Sequence, residues 1–140
     1  PWRQRLQGQA QALGLEQNIR FLGTRTDIGD ILRAAALYVM PSLWEGLGLA
    51  LLEGMAAGLP VLASRVGGMV EVLGEGQYGY LVPANDVNAL AGQLAELLAP
   101  GVDLGPMASA AQRRVADFSA SKMVTAIGNV YAATFASRSR

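Results

Sequence analysis

Cysteine and histidine are both missing from this sequence of 140 residues. Without cysteine there is neither a disulfide framework nor a thiolate site, a composition that fits a reducing cytoplasm. Without histidine, the commonest general base and the commonest metal ligand are gone as well. An excess charge of either sign is lacking too: eleven basic and eleven acidic residues cancel, which argues against a nucleic-acid-binding surface. Lys122 is the only lysine, and the arginines are scattered in ones and twos. No apolar run approaches the roughly 20 residues of a membrane span, and no signal-peptide pattern opens the chain.

What is present points to a globular fold. Half of the residues are hydrophobic (51%) and only 16% are charged, the balance of a chain that buries a core. The length suits one domain or part of a larger protein. The opening PWRQRLQGQAQALGL reads as a helix already under way over residues 2–13, so we expect upstream sequence to be missing. Gly14 stops that helix.

The rest alternates short apolar runs with helical patterns. Residues 18–23 (NIRFLG), 37–40 (LYVM), 60–64 (PVLAS) and 78–82 (YGYLV) are expected strands, each bounded by turn formers. Asp27 can cap a helix carrying Ile28, Ile31 and Leu32 on one face. A helix is expected from Gly48 to Ala57, ended by Gly58 and Pro60. A short helix around residues 69–73 follows the RVGG turn. Strands separated by helices imply crossover connections and a parallel sheet covered on both faces. The chain then becomes helical. Val87, Leu90, Ala91, Leu94, Leu97 and Leu98 keep helical spacing behind Asn85 or Asp86 as N-cap. Helices over 106–117 and 120–136 follow, the last with Met123, Ile127, Val130 and Tyr131 along one side. The expected architecture is α/β, a Rossmann-like doubly wound parallel sheet with a helical C-terminal tail.

The stretch SLWEGLGLALLEGMAAGLPVLAS, residues 42–64, carries the chemistry. In such folds ligands bind beyond the carboxyl ends of the strands, and SLWEGLG follows one strand directly. Gly46 and Gly48 permit positive φ and close backbone approach. The helix that begins near Gly48 offers unpaired N–H groups and a positive dipole end to an anion. On one continuous helix, Glu45 and Glu53 would stand ~12 Å apart along the axis and ~80° apart around it. Two carboxylates working on one bond need about 5–9.5 Å. The spacing better suits an extended ligand with hydroxyls at each end and phosphates between, the shape of a nucleotide sugar. The plainer reading makes one acid a cap and the other a solvated side chain.

FLG (21–23), PSLWEGLGLALLEGMAAGLPVLAS, VGG-x-x-E (66–71) and YGYLVPANDVNALA together resemble the C-terminal, donor-binding half of GT-B glycosyltransferases. The nearest group is the retaining family 4, the glycosyl transferases group 1. The likeness runs in order from about residue 10 to 135. It implies a nucleotide-sugar donor, UDP- or GDP-linked, and hexosyl transfer to an acceptor hydroxyl. By that resemblance Glu45 would be the catalytic residue, meeting the donor sugar's hydroxyls and helping to place its anomeric carbon. Gly46, Leu47, Gly48 and Leu49 would offer amides to sugar and diphosphate, and Glu53 would hold the ribose. Leu22 and Gly23, with Arg25, would border the nucleobase. The resemblance also implies no metal and no cofactor, in keeping with the missing Asp-x-Asp and histidine. The leaving diphosphate itself could take the acceptor's proton. A cytoplasmic location, with peripheral contact at the inner membrane face, goes with such enzymes.

The sequence departs from the family pattern in places. Ala50 stands where proline is frequent, Gly54 where alanine is usual, and Val70 where proline often precedes Glu71. The family's phosphate-clamping arginine and lysine, and its acceptor domain, would lie upstream of Pro1. The 140 residues alone are therefore expected to be inactive. Two other readings are a sugar-nucleotide epimerase of the same fold and a non-catalytic Rossmann-like interaction domain. Trp44 is expected to wedge beneath the loop. Asp27, Asp30 and Glu71 are expected to serve helix caps and dipoles, Gly67-Gly68 to lie near the donor, and Arg113 and Arg114 to be solvated.

Overall fold

The computed structural model describes residues 2–138, with side chains described as far as residue 135. The elements run α1 (Trp2–Ala12), α2 (Ile28–Arg33), β1 (Tyr38–Met40), α3 (Leu49–Ala56), β2 (Val61–Ser64), α4 (Gly67–Val72), β3 (Tyr80–Val82), α5 (Val87–Leu97), α6 (Gly105–Arg114) and α7 (Ala120–Arg138). Short 3-10 turns occupy Gly74–Gly76 and Val115–Phe118. The three strands form one parallel sheet in the order β1-β2-β3, with Val39 beside Leu62 and Ala63 beside Leu81.

β2 is buried throughout, and its alternating side chains feed two cores. Val61 and Ala63 join Leu51, Leu52 and Met55 of α3 with Met69, Val72, Leu73 and Ala111. Leu62 points the other way, to Val82 and Leu97, with Val39, Leu90, Leu94 and Leu104 packed around them. A parallel strand covered on both faces is the doubly wound arrangement expected. Asp86, rather than Asn85, caps α5: its carboxylate accepts from the Ala89 N–H at 2.9 Å. α3 ends as Gly58 predicts. Gly58 takes a φ of 79°, and the N–H groups of Gly58 and Leu59 return to the carbonyls of Met55 and Gly54, a Schellman closure.

Five expectations are corrected. Residues 18–23 form no strand. An apolar run becomes a strand only beside a partner, and this one turns toward α1 instead, where Arg3 donates to the Phe21 carbonyl at 2.8 Å. The 78–82 strand shortens to Tyr80–Val82 because the Tyr78 N–H is taken by the Leu73 carbonyl. The Asp27 side chain makes no cap bond; the Arg25 guanidinium holds it, one contact being 2.7 Å.

Arg114 is the fourth. Far from solvated, its side chain is only 22% exposed. It donates to the carbonyls of Val72 (3.3 Å) and Glu71 (3.1 Å), the last residues of α4. Its guanidinium lies over the rings of Tyr78 and Phe118 and pairs with Asp117 at 2.9 Å. A planar five-donor fork suits this combination of stacking and carbonyl capping. Glu71 accordingly stands in the last turn of α4, not the first.

Asp117 also meets Lys122 at 2.5 Å. Lys122, then Arg114, hold its carboxyl below the ordinary aspartate value. A depressed folded value contributes stability above the unfolded one and loses it as pH falls through the folded one. Asp117→Asn should therefore shallow the stability loss on the acid side, below the ordinary carboxylate range, and leave the neutral-to-alkaline limb unchanged. Urea melts of both proteins across acid pH would show a common slope if the pair is idle.

Candidate functional site

β1 delivers the chain to the carboxyl edge of the sheet at Met40, and residues 41–48 loop from there into α3. Gly48 is buried and left-handed, φ 73° and ψ 53°, and stands at the N-cap without a side chain to satisfy the helix. Gly46 does not share that conformation, contrary to the expectation for both glycines. A Cβ at Gly46 would meet nothing within 4 Å, so the missing side chain leaves an open face. The amides of Gly46, Leu47, Gly48, Leu49 and Ala50 make no hydrogen bond among the described residues; the first that do, Leu51 and Leu52, reach back to the Gly48 carbonyl. Five consecutive donors at a helix entry make a site of positive potential without any cation.

The two acids flank this row. Glu45 is half-buried in the loop and Glu53 is exposed on α3. Neither carboxylate has a partner among the described residues. The aspartates differ: Asp27 pairs with Arg25, Asp30 with Arg33, and Asp117 with Arg114 and Lys122. Asp86 and Asp103 accept backbone N–H groups. Every aspartate is thus satisfied internally, whereas among the described residues Glu45 and Glu53, like Glu16 and Glu71, keep free lone pairs. Their fields overlap at Tyr38, whose phenol is pushed up by burial first, then by Glu53, then by Glu45. Among the described residues no cluster of three or more acids gathers into a metal-sized site.

The other expected residues are placed as follows. Leu47 and Leu49 are exposed beside the amide row. Trp44 does not wedge beneath the loop: it is 82% exposed, next to an equally open Leu43. Leu22 is exposed, and Gly23 takes a φ of 71° with the Arg3 guanidinium 3.1 Å from where its Cβ would stand. That turn faces α1. Glu53 instead lines a 420 Å³ cleft with Ile28, Leu32 and Arg33 of α2. Arg25 is engaged by Asp27.

Two features of the site had no sequence signal strong enough to assign them. Gly67 and Gly68 press on the backbone of the loop: a Cβ at Gly68 would overlap the Gly46 carbonyl oxygen and stand 2.8 Å from its carbon, and one at Gly67 would overlap the Glu45 oxygen. The VGG turn suggested nearness to a ligand, but its contact is with the loop itself. Gly54, the apparent departure in α3, lies under the Tyr38 ring, with ring carbons 2.7 and 2.9 Å from where a Cβ would be.

The family model described as "Glycosyl transferases group 1" matches residues 1–114. The phosphatidyl-myo-inositol mannosyltransferase of Mycobacterium leprae is 46% identical over 92 residues, covering 64% of this chain and 25% of that protein. The D-inositol 3-phosphate glycosyltransferase of Nocardiopsis dassonvillei is 35% identical over 131 residues, covering 92% of this chain and 30% of that protein. Among solved structures, Anabaena HepE in complex with UDP superposes with a TM-score of 0.84 at 28% identity, over 93% of this chain and 36% of HepE. The chain thus spans about a quarter to a third of the length of these three proteins.

Proposed function

The chain belongs to the glycosyl transferases group 1 family, and from that we propose that it carries the donor site of a glycosyltransferase. The proposed donor is a nucleotide sugar, UDP- or GDP-linked. The observation that carries this reading is the row of amides from Gly46 to Ala50, without partners among the described residues and bracketed by two carboxylates that likewise have none. A diphosphate fits the amides and the positive end of α3. Glu53, about 6 Å above Leu49 along the helix, accepts from the ribose hydroxyls. Glu45, on the other side, accepts from the sugar hydroxyls and orients the anomeric carbon. That HepE structures hold UDP and UDP-glucose supports the class of ligand.

In this reading the transfer is retaining and metal-independent. The chain's own contribution is orientation and preorganised dipoles at the place where charge develops on the departing diphosphate. An acceptor hydroxyl of a glycan, lipid or small molecule completes the reaction. Peripheral contact with a membrane is part of the proposal; no described helix is long and apolar enough to cross one.

The test is titration of the 140-residue chain with UDP, GDP, ADP and their sugars, by calorimetry and by amide NMR. Weak saturable binding of at least one, with the largest shifts at residues 46–50, is expected. No response to any of them at millimolar concentration would overturn the reading.

A further inference from the structure

We propose that α4 is a strut through which the helical tail sets the shape of the donor loop, making Gly67, Gly68 and Arg114 positioning residues. The inference rests on the donor-site reading for its functional consequence, but its structural part stands separately. α4 is six residues long, about 8 Å from end to end. At one end Gly67 and Gly68 bear on the carbonyls of Glu45 and Gly46 with no room for a Cβ. At the other, the carbonyls of Glu71 and Val72 are held by Arg114. Between them Met69 and Val72 are fully buried, and Leu73 follows them into the same core. Met69 also stands beside Gly48, with Cγ 3.9 Å from where a Cβ there would be.

A helix packed this way cannot absorb a displacement at one end by bending, because close-packed interiors transmit strain. The Glu71 carbonyl already accepts a backbone N–H at the helix cap, and Arg114 adds side-chain donors to it and to the Val72 carbonyl, so Arg114 ties the position of this end of α4 to α6. Asp117, Tyr78 and Phe118 in turn hold the guanidinium from three sides. The loop's amide row therefore inherits its geometry from α6 and the turn after it, 43 residues downstream of Glu71. Coupling of this kind is carried by direct contact along one rigid element, not by proximity in sequence.

The experiment compares Arg114→Met, Arg114→Lys and Gly68→Ala with the parent chain. Each is read by the amide resonances of Gly46 and Gly48 without nucleotide, by UDP affinity, and by urea stability. Leu97→Ala, in the core on the opposite face of the sheet, serves as a variant destabilised elsewhere. Arg114→Met and Gly68→Ala should shift both glycine resonances and weaken UDP roughly 2- to 30-fold. Arg114→Lys should recover part of the loss, and Leu97→Ala should leave both resonances alone. If Arg114→Met and Gly68→Ala lower stability while the glycine resonances stay in place, the strut is refuted. Should Gly68→Ala fail to fold, Arg114→Met alone decides. If the parent chain ignores UDP, the donor-site reading fails, and the resonances still decide the strut.

Discussion

Glu53→Gln is expected to weaken UDP binding about 10- to 100-fold, while Glu45→Gln leaves UDP untouched and weakens a UDP-sugar by a similar factor. The magnitude follows from the worth of a hydrogen bond to a charged group, roughly 1.5–3 kcal/mol. The split follows from position. Glu53 rises from the body of α3 on the side of the α2 cleft, beyond the amide row, and a ribose would lie there. Glu45 precedes the row, where the sugar would lie. Glutamine keeps the shape and one acceptor oxygen, so the loss reports the second acceptor and the charge. Removing a charge near a diphosphate also lessens repulsion, so the loss measured for Glu53→Gln understates the ribose contact. Paired calorimetric titrations of UDP and UDP-glucose on both variants separate these terms. Equal effects of the two substitutions on both ligands would mean that the acids do not divide the ligand between them.

Within a full-length glycosyltransferase of the kind proposed, the same logic predicts different kinetic signatures. Ribose contacts are alike in ground and transition states, so Glu53→Gln would act mainly through KM. Contacts at the reacting sugar change as the bond breaks, so Glu45→Gln would act mainly on kcat.

The parallel sheet, its helices and the glycine-opened loop were legible because each rests on local signals. LYVM and PVLAS are apolar runs closed or opened by proline, α5 repeats at helical spacing, and Gly58 marks the end of α3 by the one conformation it alone adopts cheaply. The 18–23 segment shows where locality stops. FLG has the composition of a strand, but strand formation is decided by a neighbour, and none of the described strands reaches it. Arg114 was invisible for a related reason. Its partners lie 42 and 43 residues away at Val72 and Glu71, and a lone arginine near a helix end is ordinarily solvated. Trp44 misled in the opposite direction: large aromatics are usually buried, and nothing in its neighbours announces that this one stands open beside the site. The two glutamates were singled out by the resemblance of the E-x(7)-E stretch to the family pattern; the spacing of eight residues, with glycines between, suits an extended ligand but left the plainer reading open. What the spacing could not show is that, among the described residues, both carboxylates lack partners while every aspartate has one.

Gly54→Ala is expected to destabilise the chain by about 1–2 kcal/mol, although helix propensity alone predicts the opposite sign. Alanine in place of a helical glycine is worth about 1 kcal/mol in favour of the helix, and alanine is the residue the family pattern favours at this position. The cost comes from Tyr38. Its Cγ, Cδ1 and Cβ lie 2.7, 2.9 and 3.2 Å from the place a new methyl would occupy. The nearest atoms, Cγ and Cβ, cannot easily retreat, because they are fixed to the β1 backbone, which pairs with Val61, and the side chain packs against the cluster that holds Leu51 and Met55. Overpacking a close-packed core costs roughly 1–3 kcal/mol, and three contacts with a constrained ring place this case in the upper part of that range. Removing the ring should reverse the sign: in a Tyr38→Ala background, Gly54→Ala should stabilise by up to about 1 kcal/mol. The difference, a coupling of about 2–3 kcal/mol, is within what a double-mutant cycle resolves for residues in contact. Additive effects in urea melts of the four proteins would show that Tyr38 and Gly54 do not interlock. The same cycle bears on the site, since Glu53 adjoins Gly54. Displacing α3 from β1 at that point moves Glu53 relative to Glu45, so Gly54→Ala should weaken UDP binding as well, and Tyr38→Ala should restore part of it.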